Sequence, residues 1–269
     1  MTDAIHVTRW GSKGPHVLMI HGGPQGGPAG GAGGFAAQKA LADRGWQLVL
    51  PDRPGHGLSP SRGAEDMEVD ATWVAEMLGG GSHLVGHSYG GLVALAAAGL
   101  RPDAVKSLTL VEAPVYSAAA DNPAVQAFQV EQGRIQSSDL ALLPKLMRFS
   151  QLVMIPREDM GNRPTMEQLT AMGAGLAAMR SPDDWDSRPA LTTIIQAKIP
   201  VLAVSGGGNP AFVAIGEGLA RMTGGRHIVI KSGHHLPQLI EGQFNDAIDA
   251  FMRDAESTYP ARQSPAPHP

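Results

Sequence analysis

The chain has 269 residues, 43% of them apolar and 17% charged, a globular composition long enough for one full α/β core. With 21 Lys and Arg against 25 Asp and Glu the net charge is −4, which argues against a surface built for nucleic-acid backbones. Cysteine is absent, and with it disulfides, thiolate metal sites, cysteine nucleophiles and CxxC redox chemistry.

Taken in chain order, apolar runs bounded by turn residues alternate with longer segments of helical period. A short opening strand over 5–10 precedes strands at His16–Ile20 and 46–50, with a helix near 35–44 between them. Helix 68–78, strand 83–86, helix Tyr89–Leu100 and strand 107–111 follow. Further on, helix 211–222 separates strands 200–204 and 227–230, and helix 238–255 closes the series. This alternation predicts βαβ units around a mostly parallel sheet.

Residues 117–186 break the pattern. Pro123, Pro144, Pro156, Pro164 and Pro182 punctuate helical segments there, and no strand is evident. The stretch reads as a helical cap inserted over the C-terminal edge of the sheet. Met147, Met154, Met160, Met166, Met172 and Met179 fall in it, packing either the cap's own core or the roof of an apolar pocket. The expected division is a core of 1–116 and 187–256, a cap of 117–186 and a disordered Pro-rich tail of 257–269. Apolar runs such as 92–98 fall far short of the ~20 residues that span a bilayer. Residues 1–10 lack a signal pattern, so a cytoplasmic protein with no membrane partner is expected.

Three motifs carry chemistry. In SHLVGHSYGG, Gly86, Ser88 and Gly90 form GxSxG, with an apolar strand entering and an Ala/Leu-rich helix leaving. A serine on so sharp a turn needs neighbours without bulk two residues to either side, and its hydroxyl then projects above the sheet edge. The helix starting at Tyr89 aims unpaired N–H groups at charge developing on an acyl oxygen. HGGP at 21–24 follows a strand, and its glycines let backbone N–H groups approach a ligand. Gly23 is therefore a candidate oxyanion donor beside Tyr89. PDRPGHG at 51–57 contains Asp52 and His56, which suit buried loop-structuring roles better than catalysis.

In this order and spacing the motifs resemble the α/β-hydrolase superfamily, over residues 16 to about 252. The resemblance implies a mostly parallel sheet flanked by helices, a helical cap, and a nucleophile–acid–histidine triad in that chain order. Ser88 needs a base to take its proton. The base is sought in SGHHLPQL at 232–239, where His234 and His235 both qualify. Family spacing from the strand end, and Pro237 two residues on, favour His235.

The usual acid site in the family is the loop SGGGNP at 205–210, which holds no carboxylate. Gly208 stands where an Asp is common, and Glu217 lies too far along the next helix. Glu112, at the end of the strand after the nucleophile helix, resembles the placement in some dehalogenases and zearalenone-type lactone hydrolases. It is either the triad acid or a pocket carboxylate, and the empty later site favours the first.

The leading expectation is a cofactor-free serine hydrolase acting on an ester or lactone of a largely apolar small molecule, through Ser88, His235 and Glu112 with an acyl-enzyme. No HExxH, GxGxxG or GxxxxGK string exists, and the histidines lack metal-ligand spacing, so no metal or other cofactor is expected. Two alternatives stay open. One is carbon–carbon hydrolysis or cofactor-free oxygen chemistry on the same fold, and the other is a non-catalytic small-molecule receptor. The substrate, its stereochemistry and whether the chain forms a homo-oligomer are also left open.

Overall fold

A computed structural model of the chain describes residues 5–156 and 164–263. Seven strands make one sheet: β1 (Val7–Trp10), β2 (His16–Ile20), β3 (Gln47–Pro51), β4 (Ser82–His87), β5 (Val105–Val111), β6 (Val201–Ser205) and β7 (Arg226–Val229). Their order is β1-β3-β2-β4-β5-β6-β7. β1 pairs antiparallel with β3, setting Val7 against Pro51 and Trp10 against Leu48, and the other pairs are parallel. Both faces of the central strands are covered. β4 and β6 are therefore buried at every position, with no alternation between a buried and an exposed face.

The helices are α1 (Gly31–Gly34), α2 (Met67–Met77), α3 (Tyr89–Leu100), α4 (Pro123–Ser137), α5 (Leu142–Leu152), α6 (Met166–Ala178), α7 (Arg188–Gln196), α8 (Pro210–Thr223) and α9 (Glu241–Gln263). On one face of the sheet α2 and α3 pack over Leu18, Leu84 and Leu108. On the other, Phe244, Ile248 and Met252 of α9 cover Val17, Met19 and Leu202. α3 is apolar almost all round because nearly all of it is interior. Among the described residues no helix is long and apolar enough to cross a membrane.

Four features differ from the sequence reading. The helix near 35–44 is a 3₁₀ turn over Ala36–Leu41. α7 has no counterpart in it; only Leu191 and Ile194 mark a buried face, and Pro189 falls in its first turn. A proline in the first turn suits a helix start. Residues 257–263 continue α9 instead of forming a disordered tail. Glu256 holds His83 and Lys106 at 2.9 and 2.7 Å, and the Tyr259 hydroxyl donates to the Asp103 carbonyl at 3.0 Å. Residues 264–269 lie outside the described residues.

The methionines of 117–186 are the fourth difference. Helices α4, α5 and α6 lie between β5 and β6, and their buried apolar side chains are Val125, Phe128, Ile135, Leu146 and Leu176. Met147, Met154 and Met166 are exposed and build neither a core nor a roof, whereas half-buried Met172 packs against the hydrophobic core. Met179 alone among the described five lines a cleft over Ser88. Met160 lies outside the described residues.

Candidate active site

Ser88 occupies the single residue between the end of β4 and the start of α3, with φ 52° and ψ −126°. A non-glycine residue in that region is strained, and the surroundings hold it there. The Ser88 N–H donates to the Val111 carbonyl, and the Ser88 carbonyl accepts from Gly91, both at 2.8 Å. A Cβ on Gly90 would collide with the carbonyls of Ile20 and His21, and one on Gly86 would lie 2.5 Å from the Gly90 carbonyl. The turn closes only with glycine on either side.

His235 Nε2 lies 2.8 Å from Ser88 Oγ, and His235 Nδ1 lies 2.9 Å from Glu112 Oε2. Both His235 and Glu112 are buried. Glu112 Oε1 accepts the Gly206 N–H at 2.6 Å, which fixes the carboxylate at its second oxygen. Ionised Glu112 is acceptor-only, so Nδ1 of neutral His235 carries the hydrogen and Nε2 presents its lone pair to the Ser88 hydroxyl. That arrangement can draw the proton from Ser88. His234 is half-buried, its Nδ1 accepts the Leu236 N–H at 3.1 Å, and it serves the turn instead.

Strand order explains why His235 meets a carboxylate at 112 and none in the loop after β6. β6 lies between β5 and β7, so the loop after β7 must cross the end of β6 to bring His235 to Ser88. It lies directly on the loop after β6, with Gly233 N–H donating to the Gly206 carbonyl at 3.0 Å. A Cβ on Gly206 would collide with the His234 carbonyl, and one on Gly208 with the Gly233 carbonyl. The backbone of the histidine loop thus fills the space a side chain at 208 would need.

Tyr89 adjoins Ser88 in the chain, and Gly23 adjoins Gly22. Gly22 packs so closely that a Cβ there would lie 2.6 Å from Ser88 Cβ. Among the described residues neither the Gly23 nor the Tyr89 backbone N–H donates to a protein acceptor. The loop is held from behind. The Gly23 carbonyl faces His56 Nε2 at 3.2 Å and Arg53 Nη1 at 3.5 Å, and the Gln25 N–H donates to Glu65 Oε1 at 2.5 Å. Arg53 is fully buried, paired with Glu65 and with Asp70, and its guanidinium lies 4.9 Å over the Tyr89 ring. Burial and the neighbouring Arg53 charge hold His56 down to about 4. Asp52 accepts from the Gly31 and Leu58 N–H groups at 2.8 and 2.9 Å. Asp52 and His56 therefore organise loops. His87, beside the serine, lies 2.9 Å from the His235 carbonyl through Nε2, and burial, with the nearby His235, pushes it down to about 3.

A model of the alpha/beta hydrolase fold family matches residues 15–241 of this chain. The chain belongs to that family. It is similar to the pimeloyl-[acyl-carrier protein] methyl ester esterase of Methylococcus capsulatus, 33% identical over 244 residues that cover 86% of this chain and 91% of the relative. The corresponding esterase of Chromobacterium violaceum is 34% identical over 194 residues, covering 71% of each. Among solved structures, an N-acyl homoserine lactonase, AidH, complexed with N-butanoyl homoserine superposes with a TM-score of 0.67. It shares 18% identity, over 98% of this chain and 96% of the lactonase, a likeness of fold. With these relatives the chain is a carboxylic-ester hydrolase.

A narrow, partly open cleft of about 30 Å³ lies over Ser88 in this hydrolase, walled by Pro114, Phe128, Phe149, Met179 and Phe212. The Phe212 ring lies 4.8 Å from that of His235. Among the described residues no three His, Asp or Glu side chains are grouped to hold a metal. The sequence reading missed the Arg53–Glu65 pair behind the Gly23 loop. Arg53 sits within a motif already singled out, but nothing in the spacing connects it to Glu65. It also missed Phe128 and Phe212, whose approach is a matter of helix packing.

Proposed function

We propose that the chain cleaves an ester or lactone of a largely apolar small molecule with Ser88 as nucleophile, His235 as general base and acid, and Glu112 as the group that orients His235. The observation that carries this reading is the continuous hydrogen-bonded line from Ser88 Oγ through both ring nitrogens of His235 to Glu112. Ser88 Oγ attacks the carbonyl carbon as His235 Nε2 takes its proton, and the carbonyl oxygen gains charge within reach of the Gly23 and Tyr89 N–H groups. His235 then gives the proton to the leaving alcohol. Water attacks the acyl group on Ser88 with His235 again as base, and the acid departs as Ser88 recovers its proton. Glu112 keeps the hydrogen on Nδ1 and supports the imidazolium.

The apolar walls of the cleft support an apolar acyl or alcohol part. Relatives that act on a methyl ester and a likeness to an acyl homoserine lactonase support the ester or lactone class. A serine-directed alkyl phosphonate tests the reading. It should label Ser88 and abolish hydrolysis of p-nitrophenyl butyrate, and Ser88→Ala should lower kcat about 10³-fold or more while folding normally. An active protein that resists the probe, with Ser88→Ala retaining a tenth of wild-type kcat, would discard it. Carbon–carbon hydrolysis or oxygen chemistry would then replace it.

A further inference from the structure

One polar side chain in the cleft has no part in the chemistry proposed above. The buried stripe of α4 is Val125, Phe128, Gln132 and Ile135, spaced to fall on one helix face. Three of these are apolar, but the third position along the face is a glutamine, 2% exposed, that lines the same cleft as Ser88. The Tyr116 hydroxyl donates to Gln132 Oε1. Burial raises the Tyr116 phenol well above its ordinary value, so it keeps the O–H that this hydrogen bond uses, and the amide oxygen is the atom set against it.

The amide nitrogen is therefore turned the other way. Among the described residues no acceptor takes its hydrogens, and Nε2 is not among the polar atoms sealed without a partner, so it opens onto the cleft. The rest of the lining offers no comparable donor. The Tyr89 hydroxyl is turned out toward the carbonyls of Glu65 and Arg180, 3.3 Å from each, and among the described residues no Lys, Arg or His lines the cleft.

We propose that Gln132 is a specificity-determining residue whose Nε2 donates to a neutral carbonyl oxygen, of a ketone or an amide, carried by the otherwise apolar part of the substrate. This rests on the reading of the cleft as the substrate site of a hydrolase. It narrows that substrate class to esters or lactones with a second carbonyl. A carboxylate in the same place would lose its hydration without meeting a cation, which disfavours a dicarboxylic half-ester. A plain alkyl chain would cover the N–H groups and leave them unpaired.

The test compares p-nitrophenyl hexanoate with its 4-oxo and 5-oxo analogues, in wild type, Gln132→Leu and the double variant Tyr116→Phe/Gln132→Leu. The double variant removes both hydrogen-bond partners, so that no buried hydroxyl is orphaned. Wild type should favour at least one oxo ester in kcat/KM by about 3–10-fold, the worth of one neutral hydrogen bond. That ratio should fall to about one in both variants. Binding of the same esters to Ser88→Ala, by calorimetry, should show the same preference in Kd and the same loss on adding Gln132→Leu. A wild-type ratio near one for both oxo esters, or a preference that survives both variants, would overturn the assignment. Hydrolysis without preference removes Gln132 and leaves the hydrolase. A preference in Kd with no turnover in wild type removes the hydrolase reading and keeps Gln132.

Discussion

Replacing Glu112 with glutamine keeps the shape of the side chain and removes its charge. The amide oxygen can stay on the Gly206 N–H, which now lies 2.6 Å from Oε1, and the new NH₂ then faces His235 Nδ1 across 2.9 Å. Two donors cannot share that contact, so His235 moves its hydrogen to Nε2. In that tautomer the nitrogen 2.8 Å from Ser88 Oγ has no lone pair for the serine proton, and the imidazolium loses its counter-charge. The equivalent change in a serine triad lowers kcat about 10⁴-fold. Glu112 is buried and pinned at both oxygens, so we expect a loss of about 10³–10⁴, or roughly 4–5 kcal/mol of barrier. Initial rates on p-nitrophenyl butyrate, with circular dichroism melts to show that the variant folds, read this directly. KM should move little, because the carboxylate is spent on Gly206 and His235. Moving the acid to its ordinary place, with Glu112→Ala and Gly208→Asp together, should rescue nothing, since a Cβ at 208 meets the Gly233 carbonyl. Activity of Glu112→Gln within about threefold of wild type would refute the role given to Glu112.

Phe128 lines both the cleft and a second, more open hollow of about 290 Å³ beside Ala124, Leu152 and Ala211, so Phe128→Ala should shift the optimum of a p-nitrophenyl ester series to longer chains. An unchanged optimum would count against the cleft as the acyl site. Gly206→Ala drives a Cβ into the His234 carbonyl and should lower both kcat and Tm, by about 1–3 kcal/mol of stability; a wild-type melt would contradict the packing described. His87 and His56 titrate near 3 and 4 when folded and near 6.5 when unfolded, so the unfolded chain binds more protons between those values. Their contribution is complete above pH 6.5 and is lost as pH falls, about 2 kcal/mol each by pH 5. Thermal melts from pH 7 to 5 should follow that slope, His87→Gln should flatten it, and a flat wild-type profile would exclude it.

What could be read from the sequence was local. The bounds of α3, Tyr89–Leu100, coincide with those expected, because the serine turn starts the helix and one unbroken apolar run fills it. Glycines two residues either side of Ser88 announce a turn whose steric needs are met within five residues. The carboxylate-free loop at 205–210 likewise directed attention to Glu112. Other features depended on residues far apart in the chain. His235 meets Ser88 across 147 positions and Glu112 across 123; spacing favours it over His234, and the crossing of the histidine loop over β6 brings it to both partners. α9 extends through 257–263 because Glu256 and Tyr259 find His83, Lys106 and Asp103. Gln132 differs from the apolar residues of its stripe only once α4 is laid over Ser88 with Tyr116 against its oxygen. Turns and helix starts are set by sterics between near neighbours, which spacing records. The meeting of β5, β7 and α4 at one cleft is set by burial of distant surfaces, which spacing does not.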